Sequence, residues 1–547
     1  MNAFETIGKI LKRTPANMII SVIASLIIGF IGHMFCFTNT LFLHDAAGVY
    51  WNSVSFAEAA SGSRWLYPIY DYILNSVQLP WLDGVITLLL YGISAWLVCE
   101  ILNIKRPMAV IIITGLMVLS PTAISSNCYL SSAPIYASAL LFSCLAIYAF
   151  YNWKWGVVWL FVFALISEGS YAAYIGFSIC LFFLRNIIVI IDSSKDLDKK
   201  IFKEHWIICV CAVGSLALTF AIMKLLQIGS NAYLQARIAD VTEAGITTYI
   251  KNIYYTLYDV ARTFIPGGYI SYMQARTVTY VIFLTGLTAS VAVYAKMLFD
   301  NKNWKRILVC LMLIVDIVLL PFAMNFLRLI TETHTLMQFG FIVPWIFCIQ
   351  VHEKTLDHYD NRDKSNRKAI CAYSWLIALF SISSLFNFAI LANTTYAKES
   401  VVYESGISLT NRIVDRVEST EEYRIGKTPV VFIGETRNHY APYHEGFEIC
   451  DSITGIGSDW WDTSLTYNFP LIAYIRQHLG IDMYILNDIA ANGMSMDELK
   501  DLLEERDVNV DFEKLKQNIN SMNSFPKADC TMYVNDILIF KLSNQED

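Results

Sequence analysis

The chain has 547 residues, of which 55% are hydrophobic, 14% aromatic and only 16% charged. Soluble proteins carry roughly 25% charged residues, and water-soluble cores in a chain of this length could not hide so much apolar surface. The composition therefore excludes a soluble enzyme and predicts a protein that crosses a membrane several times. The net charge of −7, without a basic stripe interleaved with aromatic residues, excludes a nucleic-acid-binding protein.

Eleven apolar stretches approach the ~20 residues that a helix needs to cross the hydrocarbon core of a bilayer. They lie at residues 15–37, 82–103, 107–124, 133–151, 155–168, 171–191, 206–227, 278–298, 306–323, 336–351 and 369–392. The predicted fold class is therefore a mainly α-helical, polytopic membrane protein with about 11 transmembrane helices.

Lysine and arginine residues predict how these spans are oriented, because cytoplasmic loops carry an excess of both. Short connections on one side of the spans hold 18 of them, whereas the longer loops on the other side hold six. The N-terminus is therefore predicted to be cytoplasmic, in the plasma membrane. The long loops 38–81 and 228–277 and everything after the eleventh span are then extracytoplasmic.

Charge and hydrophobic pattern both change after residue 392. Residues 393–547 contain 13 basic and 26 acidic residues, whereas residues 1–392 contain 27 basic and 21 acidic ones. Helical periodicity at 399–418, 469–479 and 495–505, a strand at 429–433 and two strands around Asn535-Asp536 predict a small α/β domain. We therefore expect a membrane domain at 1–392 and an extracytoplasmic α/β domain at 393–547.

The first external loop holds the residue types that a catalytic site at a membrane surface needs. Asp45 directly follows the first span, next to His44, and Arg64 and Trp65 come about twenty residues later. A carboxylate can take a proton from a hydroxyl group, and an arginine can hold a phosphate bidentately. The alternative is structural: Asp45 caps a helix, and Arg64 and Trp65 anchor the chain at the interface.

Three further groups of residues are candidates for substrate binding. Glu168 and Tyr171 lie between two spans, in an otherwise apolar neighbourhood, and Arg328 and His334 follow the ninth span. A lone arginine at the membrane interface needs an anionic partner, which is a lipid phosphate or a carboxylate. The loop 228–277 contains Arg237 and many tyrosines, whose rings suit either a sugar or an amphipathic helix on the membrane.

Cofactor and metal sites are not predicted. No CxxC or Cys/His zinc spacing occurs among the twelve cysteines, and most of them lie inside apolar stretches. Residues 393–547 contain no glycine-rich phosphate loop, which argues against a nucleotide-using site there. Whether Cys450 and Cys530 pair is left open by the sequence.

Taken in order along the chain, these motifs resemble those of the bacterial Gtr-type (GtrII-like) glucosyltransferases, polytopic enzymes best known from O-antigen glucosylation. The resemblance covers most of the chain. The residues that carry it are His44-Asp45, Gly62-Ser63-Arg64-Trp65, Ser167 to Tyr171, Arg328, and Phe525-Pro526 through a terminal hairpin to Leu542.

The resemblance implies a type-C glycosyltransferase that takes a sugar, which in this family is glucose, from a polyprenyl phosphate on the outer face of the membrane. It implies an inverting reaction with Asp45 as the general base and without a metal or cofactor. Arg64, Arg328 and Arg237 would bind the donor phosphate. The remaining candidates would contact substrate, and they are His44, Trp65, Glu168, Tyr171 and His334. The implied acceptor is a cell-envelope glycan or glycolipid.

Two other functions remain open at this point. A transporter or flippase of a lipid-linked sugar would show internal repeats and charged, broken helices at the membrane midplane, and the charged candidates lie instead near the external ends of spans. A surface receptor would use residues 393–547 as its working part, although eleven spans exceed what an anchor needs. The glycosyltransferase accounts for more of the candidate residues than either alternative.

Overall fold

The computed structural model describes residues 14–39, 64–73, 79–192, 197–226, 245–264, 277–300, 307, 309–311, 313–315, 335–359, 367–434, 445–450, 453, 455, 471–486, 494–506 and 508–543. The described chain is mostly helical, with one small sheet near its C-terminus. Two compact units are formed, and the boundary between their main segments lies between Asn393 and Thr394.

Most helices of the first unit are long and apolar, and the last of them extends past Asn393, where this unit ends. The helices are α1 (Ala16–Thr38), α2 (Tyr67–Ile73), α3 (Pro80–Ile101), α4 (Pro107–Val118), α5 (Pro121–Cys128), α6 (Ala133–Asn152), α7 (Gly156–Tyr171), α8 (Ile175–Asp192), α9 (Leu197–Leu226), α10 (Ile246–Phe264), α11 (Thr277–Asp300), α12 (Val343–Tyr359) and α13 (Arg367–Glu418). Short 3-10 turns connect some of them, at Leu130–Ser132, Ala172–Tyr174, Thr335–Met337 and Phe339–Ile342.

Seven helical segments among the described residues are long and apolar enough to cross a membrane, and the bent pair α4 and α5 makes up to eight. This confirms a membrane protein built from several apolar helices. The predicted number of eleven spans and their orientation stay predictions, and most of the predicted span 306–323 lies outside the described residues.

Small residues bring α1 and α3 into close contact. The Ser21 hydroxyl donates to the Gly92 carbonyl at 2.7 Å, and the Ser25 hydroxyl donates to the Leu88 carbonyl at 2.6 Å. A Cβ atom at Gly92 would lie 2.9 Å from the Cα of Val22. The hydrophobic effect contributes little to helix association within lipid. Close packing of the backbones and interhelical hydrogen bonds therefore hold membrane helices together.

The chain reverses direction between α7 and α8. Tyr171 has an extended backbone (φ −159°, ψ 100°), which ends the α-helix, and the 3-10 turn Ala172–Tyr174 follows. Beyond the turn, Ser143 of α6 contacts Ser178, and Tyr151 of α6 stacks on Phe182. The helix α8 therefore runs parallel to α6, while α7 runs antiparallel to it. Tyr171 and Tyr174 therefore lie at the end of the bundle where α6 begins.

The second unit contains a three-stranded sheet and two amphipathic helices. Its elements are β1 (Val430–Ile433), α14 (Met496–Glu505), α15 (Phe512–Ser521), β2 (Thr531–Val534) and β3 (Ile537–Lys541), with a short helical turn at Leu471–His478. The strand order is β1-β3-β2, with β1 parallel and β2 antiparallel to β3. Both helices pack their apolar faces on this sheet.

A buried lysine joins the sheet to α15. The ammonium of Lys541 donates to the carbonyls of Ile519, Asn520 and Met522, at 2.7, 3.3 and 3.0 Å. These carbonyls lie at the C-terminal end of α15, where no intrahelical N–H groups are left to bind them and positive charge is favourable. The three carbonyl oxygens therefore stabilise the buried charge of the lysine, and the lysine caps the helix.

Most of the predicted elements of residues 393–547 are confirmed. The helix α15 was not predicted, and the helix predicted at 469–479 is a short helical turn at Leu471–His478. The strand at 429–433, the helix at 495–505 and the two strands around Asn535-Asp536 are present, and Asn535 has the positive φ of 52° that a tight hairpin turn requires. A further difference is that the last predicted span and the helix at 399–418 form one 52-residue helix, α13. No glycine or proline interrupts residues 392–399, so the helix continues. Cys450 and Cys530 are buried thiols and form no disulfide.

Candidate active site

The segment before α2 brings Arg64 and Trp65 to the turn between α7 and α8. The backbone N–H of Leu66 donates to the Gly169 carbonyl at 3.0 Å, and the N–H of Tyr67 donates to the Arg64 carbonyl at 2.9 Å. The Tyr67 hydroxyl pairs with that of Ser132 at 3.0 Å. Backbone and side-chain bonds therefore attach the predicted arginine–tryptophan motif to the helix bundle.

The Arg64 guanidinium lies against two tyrosine rings. Its central carbon is 5.5 Å from the ring centre of Tyr136 on α6 and 5.3 Å from that of Tyr171 at the end of α7. The two rings meet edge to face at 4.8 Å, and both are buried. Aromatic ring faces attract a guanidinium without using its N–H donors, so this arrangement suits an arginine that binds a phosphate.

Trp65 packs directly on the backbone of Gly169. A Cβ atom at Gly169 would lie 2.4 Å from the Cε2 atom of the indole, closer than carbon atoms can approach. The indole also packs against Met223 of α9. Position 169 therefore requires glycine, because only glycine leaves room for the tryptophan.

Glu168 is fully buried inside the helix bundle. Its carboxyl oxygens accept hydrogen bonds from the hydroxyls of Ser215 at 3.0 Å and Thr219 at 3.5 Å, both on α9. Acidic side chains within membrane-spanning segments are costly and usually functional. Glu168 directly precedes Gly169, the residue on which Trp65 packs.

The structure brings together four of the nine predicted site residues. Arg64, Trp65, Glu168 and Tyr171, which belong to two motifs about a hundred residues apart, meet where α6 begins and α7 ends. The other five lie outside the described residues, and their predicted roles stay predictions. They are His44, Asp45, Arg237, Arg328 and His334.

Sequence reasoning missed three partners of this cluster. Tyr136 was hidden among the many aromatic residues of a membrane span, so no signal distinguished it. Ser215 and Thr219 lie four residues apart and therefore on one face of a helix. A hydroxyl pair on one face of an apolar span was a signal that could have indicated a buried polar partner.

The helix α10 explains most of the aromatic residues in the loop 228–277. Its exposed apolar residues follow the spacing of one helix face, and they are Ile250, Ile253, Tyr254, Leu257 and Tyr258. The polar residues Asn252 and Thr256 are buried instead. This pattern favours a helix that lies on the membrane surface over a set of sugar-stacking tyrosines.

A comparison with protein families identifies the family of this chain. The family model described as Glucosyl transferase GtrII matches residues 34–345, more than half of the chain and the whole region that contains the nine predicted site residues. Searches of curated proteins and of solved structures found no match. Together with the apolar helices of the first unit, the match shows that this chain is a membrane protein of the GtrII glucosyltransferase family.

Proposed function

We propose that the protein transfers glucose from a polyprenyl phosphate to a cell-envelope glycan or glycolipid at the outer face of the plasma membrane. The observation that carries this proposal is the position of Arg64. A guanidinium held between two tyrosine rings, within a helix bundle that faces lipid, suits an anion carried on a lipid. The two predicted arginines Arg237 and Arg328 complete the proposed phosphate site.

The proposed reaction inverts the configuration at the anomeric carbon. Asp45 takes the proton from the acceptor hydroxyl, whose oxygen forms a bond to the anomeric carbon. The bond between that carbon and the phosphate oxygen breaks at the same time, and the lipid phosphate leaves with the electron pair. The arginines stabilise the charge that develops on the phosphate. Residues His44, Trp65, Glu168, Tyr171 and His334 are proposed to hold the substrates in place.

Donor binding by Arg64 variants tests this proposal. The purified protein in lipid nanodiscs is titrated with a short-chain polyprenyl-phosphate glucose and, separately, with a nucleotide-linked glucose. We expect binding of the lipid-linked sugar alone. Arg64→Ala should weaken it by about tenfold or more, because a hydrogen-bonded ionic contact is lost, and Arg64→Lys should bind with intermediate affinity because it keeps the charge but not the planar fork.

Arg185 supplies the matched control, since its guanidinium also stacks on a tyrosine, Tyr151, at 3.6 Å. Arg185→Lys should leave donor affinity unchanged. If Arg64→Ala binds the lipid-linked sugar as tightly as the wild type, Arg64 is only an interfacial anchor. If the nucleotide-linked sugar binds instead, the proposed donor class is wrong.

A further inference from the structure

Three buried hydroxyl groups without hydrogen-bond partners meet in the first unit. They belong to Tyr91 on α3, Ser126 on α5 and Tyr174 in the turn between α7 and α8, and all three side chains are fully buried. None of the three oxygens has a hydrogen-bond partner within the described part of the chain. The Tyr91 hydroxyl nevertheless lies close to those of Ser126 and Tyr174, and the Tyr174 hydroxyl lies close to that of Ser126, so the three interact with one another only outside normal hydrogen-bond geometry. We call these residues the hydroxyl trio.

Such a cluster needs an explanation. Buried polar side-chain atoms in folded proteins nearly always have a partner, because an unpaired hydroxyl loses its hydrogen bonds to water and gains nothing. Phenylalanine or alanine at these positions would avoid that cost. Three separate helical segments nevertheless direct hydroxyl groups to one place, which leaves hydrogen-bonding capacity there for a polar group from outside the chain.

The hydroxyl trio lies next to the proposed phosphate site. The ring centre of Tyr171 is 5.3 Å from the Arg64 guanidinium carbon, and 5.1 Å from the ring centre of Tyr174. A single aromatic ring therefore separates the arginine from the first member of the trio. A phosphate bound to Arg64 would therefore place its attached sugar near the trio.

The ring of Phe339 packs against the rings of both tyrosines of the trio. Phe339 lies 6.0 Å from the ring of Tyr91, almost parallel to it, and 5.6 Å from the ring of Tyr174. Phe339 begins the one-turn 3-10 helix that precedes α12. Turns of this kind have weaker hydrogen bonds than α-helices, so this segment can move at lower cost than the helices around it.

We propose that the hydroxyl trio binds the hydroxyl groups of the donor's hexose, which takes the place of Phe339 while Arg64 holds the attached phosphate. Each hydroxyl of the trio can donate one hydrogen bond and accept others, which matches the hydroxyls of a sugar. The tyrosine rings supply flat apolar surfaces for its C–H groups. This inference rests on the proposed function and adds to it a site for the sugar.

Removing single hydroxyls tests the inference. Tyr91→Phe, Tyr174→Phe and Ser126→Ala are compared with the wild type in nanodiscs, using polyprenyl-phosphate glucose and the same polyprenyl phosphate without sugar as probes. Each variant should bind the sugar-bearing lipid roughly two- to tenfold more weakly, the effect of one lost hydrogen bond. Binding of the sugar-free lipid should not change. The melting temperature without ligand should stay equal or rise, because an unpaired group is removed.

Tyr294 provides the matched control. Its hydroxyl is also buried but donates to the Ile187 carbonyl at 2.9 Å. Tyr294→Phe should therefore lower the melting temperature and leave the affinity for both lipids unchanged, the opposite of the trio variants on both readouts.

Two other outcomes overturn the inference, and they can be told apart. If the wild type binds both lipids, and the trio variants bind both as the wild type does, the trio does not contact the sugar, while the proposed function stands. If the wild type binds neither lipid, the proposed function fails and the inference fails with it.

Discussion

Gly169 sets the distance between the two motifs that form the described part of the active site. Its missing side chain gives room to the Trp65 indole, which a Cβ atom would approach to 2.4 Å. Gly169→Ala should therefore displace Trp65 and the neighbouring Arg64. Overpacking of this kind typically costs about 1–3 kcal/mol. We expect a lower melting temperature and weaker donor binding, measured on the purified protein by thermal unfolding and lipid titration.

Gly214→Ala serves as the control for this substitution. Gly214 also lies within a helix of the first unit, and its nearest neighbour would be 3.3 Å from the new Cβ atom, on the Phe161 ring. A shift of a few tenths of an ångström accommodates the methyl group. Equal effects of the two alanines would show that Gly169 has no special relation to the tryptophan.

Asp45 carries the most demanding role in the proposed mechanism, and its role is predicted from the sequence alone. Asp45→Asn keeps the size of the side chain but cannot accept a proton. Transfer should fall by about a hundredfold or more, as is typical for a lost general base. Donor binding should persist, because the phosphate site is untouched. The measurement is the rate of transfer of labelled glucose from the lipid donor to acceptor-containing membranes.

Glu58→Gln is the control for Asp45, because both acids lie in the loop 38–81. We expect normal transfer from this variant. Should Asp45→Asn transfer normally while Glu58→Gln or Glu168→Gln does not, the base is a different carboxylate and the role implied by the family motif is wrong.

At the scale of elements, hydrophobic pattern predicted most helices and strands, because each buries one recognisable apolar surface. The reversal between α7 and α8 is one example: the predicted spans 155–168 and 171–191 correspond to Gly156–Tyr171 and Ile175–Asp192. Pattern did not predict that α13 is continuous, because polar residues at 393–398 interrupt the apolar stretch without interrupting the helix. Helix continuity depends on backbone hydrogen bonds, which polar side chains do not prevent.

Contacts between distant segments were harder to predict than the segments themselves. The sequence identified Arg64 and Glu168 separately by their residue types. It could not show that Tyr136 and Tyr171 flank the arginine, or that Ser215 and Thr219 bind the carboxyl group. Those contacts follow from how three helices and the segment before α2 pack, and packing is not encoded in any short motif.

The start of α14 gives a pH-dependent prediction. The Ser495 side chain accepts from the Glu498 N–H, and the Glu498 carboxylate accepts from the Ser495 N–H at 2.8 Å, which together form a capping box. Hydrogen bonding to the carboxylate holds the pKa of Glu498 below its ordinary value. A depressed pKa means that the contribution to stability is present above the ordinary pKa of glutamate, about 4.3, and is lost as the pH falls through the folded-state pKa.

Hydrogen exchange measures this effect in the full-length protein. Glu498→Gln removes the charge, so its first-turn amides in α14 should exchange faster than those of the wild type at pH 6. The difference should disappear well below the ordinary pKa of glutamate, where the wild-type carboxylate is protonated too. A difference that persists at low pH would show that the charge of Glu498 does not stabilise the helix start.

At the scale of the whole molecule, the predicted orientation places the active site and residues 393–547 on the same, outer side. Lys500 of α14 and Lys105 between α3 and α4 are both exposed, so each can be replaced by a single cysteine in a cysteine-free background. An impermeant maleimide should label Lys500→Cys on intact spheroplasts and label Lys105→Cys only after lysis. The reverse pattern would place the proposed site in the cytoplasm.

The central claim is that this membrane protein consumes a lipid-linked glucose rather than moving it. The most direct measurement follows labelled polyprenyl-phosphate glucose in sealed vesicles that contain the wild-type protein and the envelope fraction of cells lacking its gene. We expect label to disappear from the lipid and to appear on an envelope glycan or glycolipid. Label that stays on the lipid but becomes accessible from the opposite leaflet would contradict the account and identify a flippase.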